Sequence, residues 1–109
     1  TLNEIARQSE VAIALDETAI PVRPAVMAAC ELLGLDPLYV ANEGKVVAIV
    51  APDAADAALR AMRAAPHGAD AVRIGTVEPG TAGRVVLRTS LGTTRIVDMP
   101  GGELLPRIC

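Results

Sequence analysis

Apolar residues along this chain follow two periods, and the switches between them divide it into elements. Leu2, Ile5 and Ala6 stand at helical spacing and predict a helix over residues 2–9. VAIAL, residues 11–15, is a short apolar run closed by Asp16 and Glu17, and it predicts a strand. In PVRPAVMAACELLG, Pro24 suits a first helical turn, where its missing N–H is not needed, and Gly34 suits a left-handed cap. A helix over 23–33 follows. PLYVA (37–41) and KVVAIVA (45–51) flank Asn42, Glu43 and Gly44, a pattern that predicts a hairpin with that tripeptide as its loop. PDAADAALRAMRAA is a further helix, with Pro52 and Asp53 as start signals and Pro66 and Gly68 beyond its end. AVRIGTVE, RVVLRTS and TTRIVDM read as three more strands, separated by PGTAG and LG.

The order through residue 78 is β-α-β-β-α-β, the split βαβ arrangement of ferredoxin-like folds, with two strands appended. The fold class expected is α+β, with helices over a mostly antiparallel sheet. Alternation in RVVLRTS points to one wetted sheet face, whereas VVAIV reads as buried on both faces. Residues 1–98 are expected to form one α+β domain and residues 99–109 a flexible tail. The chain starts on Thr1, inside an amphipathic pattern, and reads as a piece of a longer protein.

Composition narrows the function classes. A chain of 109 residues buries about 65% of the surface its unfolded form exposes, enough for one core. Hydrophobic residues are 51% of it but aromatics only 1%, and Tyr39 is the single ring. Without aromatic platforms for base stacking, and with a net charge of -3, it is no match for nucleic acid. No apolar run of transmembrane length and no basic-then-apolar leader occurs, so a cytoplasmic protein with no membrane partner is expected.

The residues able to carry chemistry are few. No Walker-type loop, metal-ligand spacing or nucleophile elbow is present. His67 sits in a turn with no orienting partner, and Cys30 on an Ala- and Leu-rich helix behaves as a small hydrophobe. Asp16 and Glu17 read as a solvated loop start. Asn42-Glu43-Gly44 reads as a tight turn. Cys109 is the last residue, on a stretch containing Pro100, Gly101, Gly102 and Pro106 that can extend by about 36 Å. From the residues alone it is either a frayed terminus or a thiol on a tether, and both readings stay open.

TLNEIA, LDETAIPV, AACELLGLDPLYVANEGKVVAIV and TTRIVDMPGGELLPRIC, in this order and ending on PRIC, resemble the C-terminal part of the HypE family of hydrogenase maturation carbamoyl dehydratases. The resemblance extends over essentially the whole chain. That family is similar in fold to aminoimidazole ribonucleotide synthetase, so a PurM-like C-terminal domain is implied. It also implies a reaction. A carbamoyl group placed on the terminal cysteine by the HypF carbamoyltransferase is dehydrated to a thiocyanate with ATP, and the nitrile becomes a cyanide ligand of the NiFe hydrogenase iron on a HypC and HypD scaffold. Carried onto this sequence, Cys109 is the acceptor and Glu43 the carboxylate base. ATP and Mg²⁺ would be bound mainly by an N-terminal lobe that this sequence does not contain, so the domain alone is expected to be inactive and the full-length protein a homodimer. No residue here is assigned to cofactor or metal. The alternatives are the C-terminal lobe of another ATP-dependent PurM-like synthetase, such as selenophosphate synthetase or thiamin monophosphate kinase, or a non-catalytic ligand-binding module.

Overall fold

A computed structural model describes residues 1–99. The chain order is α1 (Leu2–Gln8), β1 (Ala12–Asp16), α2 (Pro24–Leu33), α3 (Ala55–Ala64), β2 (Gly75–Glu78), β3 (Val85–Arg88) and β4 (Thr94–Ile96), with short 3-10 turns at Glu17–Ala19 and Pro52–Ala54. The α+β class is therefore as expected. Helix signals acted where the sequence placed them. Pro24 begins α2, and Gly34 ends it at φ 66°, in the left-handed region, where its N–H reaches back to the Glu31 carbonyl. A side chain at that φ would be strained, which is why glycine stands there.

The described residues fall into two compact units. The first, Thr1–Pro21 with Ala48–Asp98, contains the sheet. Its strand order is β2-β1-β3-β4, with β1 antiparallel to β2, β1 parallel to β3, and β3 antiparallel to β4. The mostly antiparallel sheet agrees with the expectation. Register decides which side chains share a face. Ile13 is opposite Val85 and Leu15 opposite Leu87, and these four residues are buried together with Ala6 of α1, which lies against β1 and β3. Asn3 of α1 donates from Nδ2 to the Val97 carbonyl at 2.9 Å, tying the helix to the chain just beyond β4. The burial pattern of β3, with Val85 and Leu87 inside and Arg88 exposed, is the one-sided wetting its alternation predicts.

The second unit is built on Val22–Val47 and carries α2 and the turns after it. The hairpin expected over 37–51 is not formed: no strand ladder occurs there. Asp36 is the local cause. Its carboxylate accepts from Leu38 N at 2.9 Å and its carbonyl from Tyr39 N at 3.0 Å, so residues 36–39 close into a turn where the first arm should begin. The second arm then has no partner strand. Val46 is 80% exposed and Ile49 50%, contrary to the expectation that VVAIV is buried on both faces. Two strands of the split βαβ arrangement are thus absent from the ladder, and β3 and β4 complete the sheet instead.

Leu87 is 1% exposed and is the largest fully buried side chain of the described residues. Leu87→Ala should cost about 2–5 kcal/mol, through lost burial plus the cavity left behind. Leu91, 88% exposed at the β3–β4 turn, should shift stability by less than about 0.5 kcal/mol when changed to Ala. Denaturant melts of the two variants check the contrast, and equal midpoints would contradict the core assigned here.

Candidate functional site

Glu43 lies in the second unit, exposed, between two residues that shape its turn. Asn42 donates from Nδ2 to the Val40 carbonyl at 3.3 Å, and Gly44 follows at φ 74°. Gly44, in the left-handed region, bends the chain immediately after Glu43, and Glu43 is exposed beside that bend. The tight hairpin turn expected at Asn42-Glu43-Gly44 is thus not formed; the backbone bends at Gly44 without strands on either side. Cys109 lies outside the described residues, so the structure gives no relation between the thiol and Glu43. Cys30 is buried in α2, 5% exposed, as a structural thiol should be. His67 is exposed, with a left-handed backbone at φ 65° in the turn after α3.

A second group of polar side chains gathers on the sheet and includes Asp16, which the sequence presents only as a solvated loop start. Asp16 and Arg88 are register partners at the ends of the parallel strands β1 and β3, and Ala14 is the register partner of both Thr76 and Val86. Ala12, Ala14, Asp16, Thr76, Glu78 and Arg88 therefore share the sheet face opposite Ile13, Leu15, Val85 and Leu87. On this face Arg88 Nη2 meets Glu78 Oε1 at 3.1 Å, reaching from β3 to β2 across β1. Strands two places apart are separated by about 10 Å, and the pair can span that gap because β1 presents only Ala12 and Ala14 beneath it. Both partners are half exposed, so the ion pair contributes at most about 1 kcal/mol to stability. Its effect is to hold the guanidinium in place.

Each of the other polar groups is also held. Thr76 Oγ1 donates to Glu78 Oε1 at 3.0 Å. Asp16 Oδ1 accepts from Thr18 Oγ1 at 2.7 Å and from Thr18 N at 3.0 Å. The hydroxyl of Thr18, then its backbone N–H, hold the Asp16 carboxyl below its ordinary pKa, with a smaller contribution from the Arg88 charge. Glu17 Oε2 accepts from Ser90 N at 2.8 Å, fixing the tight turn after β3, where the Thr89 and Thr93 hydroxyls meet at 2.7 Å. A cleft of about 220 Å³ opens at this end of the sheet, lined by Asp16, Arg73, Thr76, Arg88, Ala14 and Ala19 among others. The period-two spacing of Ala12, Ala14 and Asp16, repeated as Thr76 and Glu78 and as Val86 and Arg88, is the sequence signal that could have shown a small-floored polar face. Reading it required the register.

Among the described residues no group of three or more His, Cys, Asp or Glu could hold a metal ion. No helix among them is long and apolar enough to cross a membrane.

Residues 1–88 match the family described as AIR synthase related protein, C-terminal domain. The carbamoyl dehydratase HypE of Bradyrhizobium diazoefficiens is 62% identical over 109 residues, all of this chain and 32% of that protein. A crystal structure of the hydrogenase maturation protein HypE in complex with ATP superimposes with a TM-score of 0.89 at 49% identity, over 99% of this chain and 33% of that one. A HypE–HypF complex structure matches with a TM-score of 0.84 at 44% identity, over 91% of this chain and 32% of that one. The chain spans about a third of the length of the curated relatives it matches.

Proposed function

The chain belongs to the AIR synthase related protein C-terminal domain family, and from that membership we propose that it is the C-terminal domain of a HypE-type carbamoyl dehydratase. The observation that carries the reading is identity of 62% to one such enzyme over all 109 residues, the Glu43 turn and the terminal cysteine being inside the matched span. Residues 1–98 form the domain in this reading, and 99–109 a tail that delivers Cys109.

The chemistry suits a thiol and a carboxylate. HypF supplies the carbamoyl group: the Cys109 sulfur attacks its carbonyl carbon as thiolate, the C–S bond forms and the donor's leaving group departs. The product is a thiocarbamate, –S–C(=O)–NH2. Its amide oxygen is a poor leaving group. With ATP as the second substrate, phosphorylation of that oxygen turns the departure of oxide into the departure of phosphate, with ADP as the other product. Loss of both nitrogen protons and cleavage of the C–O bond leave –S–C≡N. Those protons need a positioned acceptor, and Glu43, on an exposed bend fixed by Asn42 and Gly44, is the base. Among the described residues no cluster of three or more His, Cys, Asp or Glu is present, and no step rests on Mg²⁺ here. Mg²⁺ and most contacts to ATP belong to the N-terminal lobe of the full-length protein, a cytoplasmic homodimer that passes cyanide to iron held by HypC and HypD.

The test is a mass measurement on the C-terminal peptide of the full-length protein, incubated with HypF, carbamoyl phosphate and ATP. The expected series is a gain of one carbamoyl group, then loss of one water only when ATP can be cleaved. A peptide that never changes mass in the complete mixture would overturn the assignment.

A further inference from the structure

We propose that the cleft at the Asp16–Arg88 end of the sheet is a binding site for a small oxyanion, a phosphate or carboxylate group. Hydrogen-bonding capacity around the cleft is unevenly met. Each of the two carboxylates nearest the cleft already has one oxygen supplied with donors, leaving the other open: Glu78 Oε1 accepts from Thr76 and from Arg88, and Asp16 Oδ1 accepts from both the N–H and the hydroxyl of Thr18. The guanidinium groups are met far less. A guanidinium has five N–H donors. Arg88 uses Nη2 on Glu78, and Arg73, exposed at the cleft wall, has no hydrogen-bond or ion-pair partner among the described residues. Open guanidinium donors at the cleft therefore outnumber the open carboxylate oxygens, and the planar fork of arginine is matched by the paired oxygens of a phosphate or a carboxylate.

Position and size agree with this. Arg88 is held by Glu78, so part of the cost of ordering a long side chain around a ligand has already been met. The floor is Ala14, whose methyl group leaves room above the sheet, and Ala19 and Ile74 supply apolar walls. A cleft of about 220 Å³ is smaller than the pockets that enclose drug-sized molecules, and it suits one oxyanion with few attached atoms. The site uses neither Glu43 nor Cys109, so it stands or falls independently of the dehydratase reading.

The experiment is a backbone-amide NMR titration of the 109-residue chain with inorganic phosphate, with acetate, and with sodium chloride at matched ionic strength. Saturable shifts at Asp16, Arg73–Thr76 and Arg88 are expected with at least one oxyanion and not with chloride. A response to phosphate alone assigns a phosphate-bearing ligand, and one to acetate alone a carboxylate. Arg73→Gln should weaken binding about tenfold, the loss of one charge-assisted contact. Arg73 is exposed and unpartnered among the described residues, so this variant should keep the parent's chemical shifts away from the cleft. Shifts reproduced by chloride, no saturable shift at these amides, or unchanged affinity in Arg73→Gln would each overturn the site.

Discussion

Glu43→Gln in the full-length protein should stop dehydration while leaving carbamoylation of the terminal cysteine intact. Glutamine has nearly the shape of glutamate, and the bend does not depend on the charge: it is set by the Asn42 contact to the Val40 carbonyl and by Gly44 at φ 74°. What the substitution removes is the capacity to accept a proton. Positioned general bases contribute about 10²–10⁴-fold, so water loss should slow by that factor and the thiocarbamate should accumulate. Single-turnover mass analysis of the C-terminal peptide separates the two steps. A carbamoylated peptide that persists with ATP present is the expected result. Dehydration at the parent rate would reduce Glu43 to a residue of the turn. Failure of carbamoylation as well would place its effect on the first step instead. A Gly44→Val companion variant tests the bend itself: a β-branched residue is strained at that φ, so it should misplace the carboxylate and slow the same step.

The local signals in this sequence were reliable where a single residue dictates a backbone state, and misleading where a partner strand was required. Pro24 and Gly34 mark the ends of α2 because one lacks an N–H and the other alone tolerates a left-handed cap. PLYVA and KVVAIVA have the composition of strands, but strand propensity is realised only against a neighbour. The Asp36 turn diverts residues 36–39, and the place beside β1 is taken by β3, more than sixty residues further along the chain. No local pattern announces that pairing. The polar face was hidden for the same reason: Asp16, Thr76, Glu78 and Arg88 look like scattered surface residues until the β1–β2 and β1–β3 registers bring them together. Glu43 and Cys109 stand out as candidates only through resemblance to a family, since an Asn-Glu-Gly stretch and a terminal cysteine carry no chemistry by spacing alone.

Cys109→Ala in the full-length protein should abolish both steps while leaving stability unchanged. Alanine offers no nucleophile, so the carbamoyl group has nowhere to go and the peptide mass should stay constant with HypF, carbamoyl phosphate and ATP all present. A substitution at residue 109 leaves in place the buried residues that hold the sheet, namely Ile13, Leu15, Val85 and Leu87, and thermal unfolding should match the parent within about 0.5 kcal/mol. Cys109→Ser is the sharper variant. A hydroxyl is far less ionised than a thiol near neutral pH, so carbamoylation should fall by orders of magnitude, and any product formed would be an oxygen ester that cannot become a thiocyanate. Cys30 supplies the internal control. At 5% exposure in α2 it is closed to a carbamoyl donor, and Cys30→Ala should keep the full mass series, at a modest cost in stability from the lost burial. Modification that persists in Cys109→Ala, or that moves to Cys30, would defeat the reading in which the terminal thiol is the group this protein carries from one enzyme to the next.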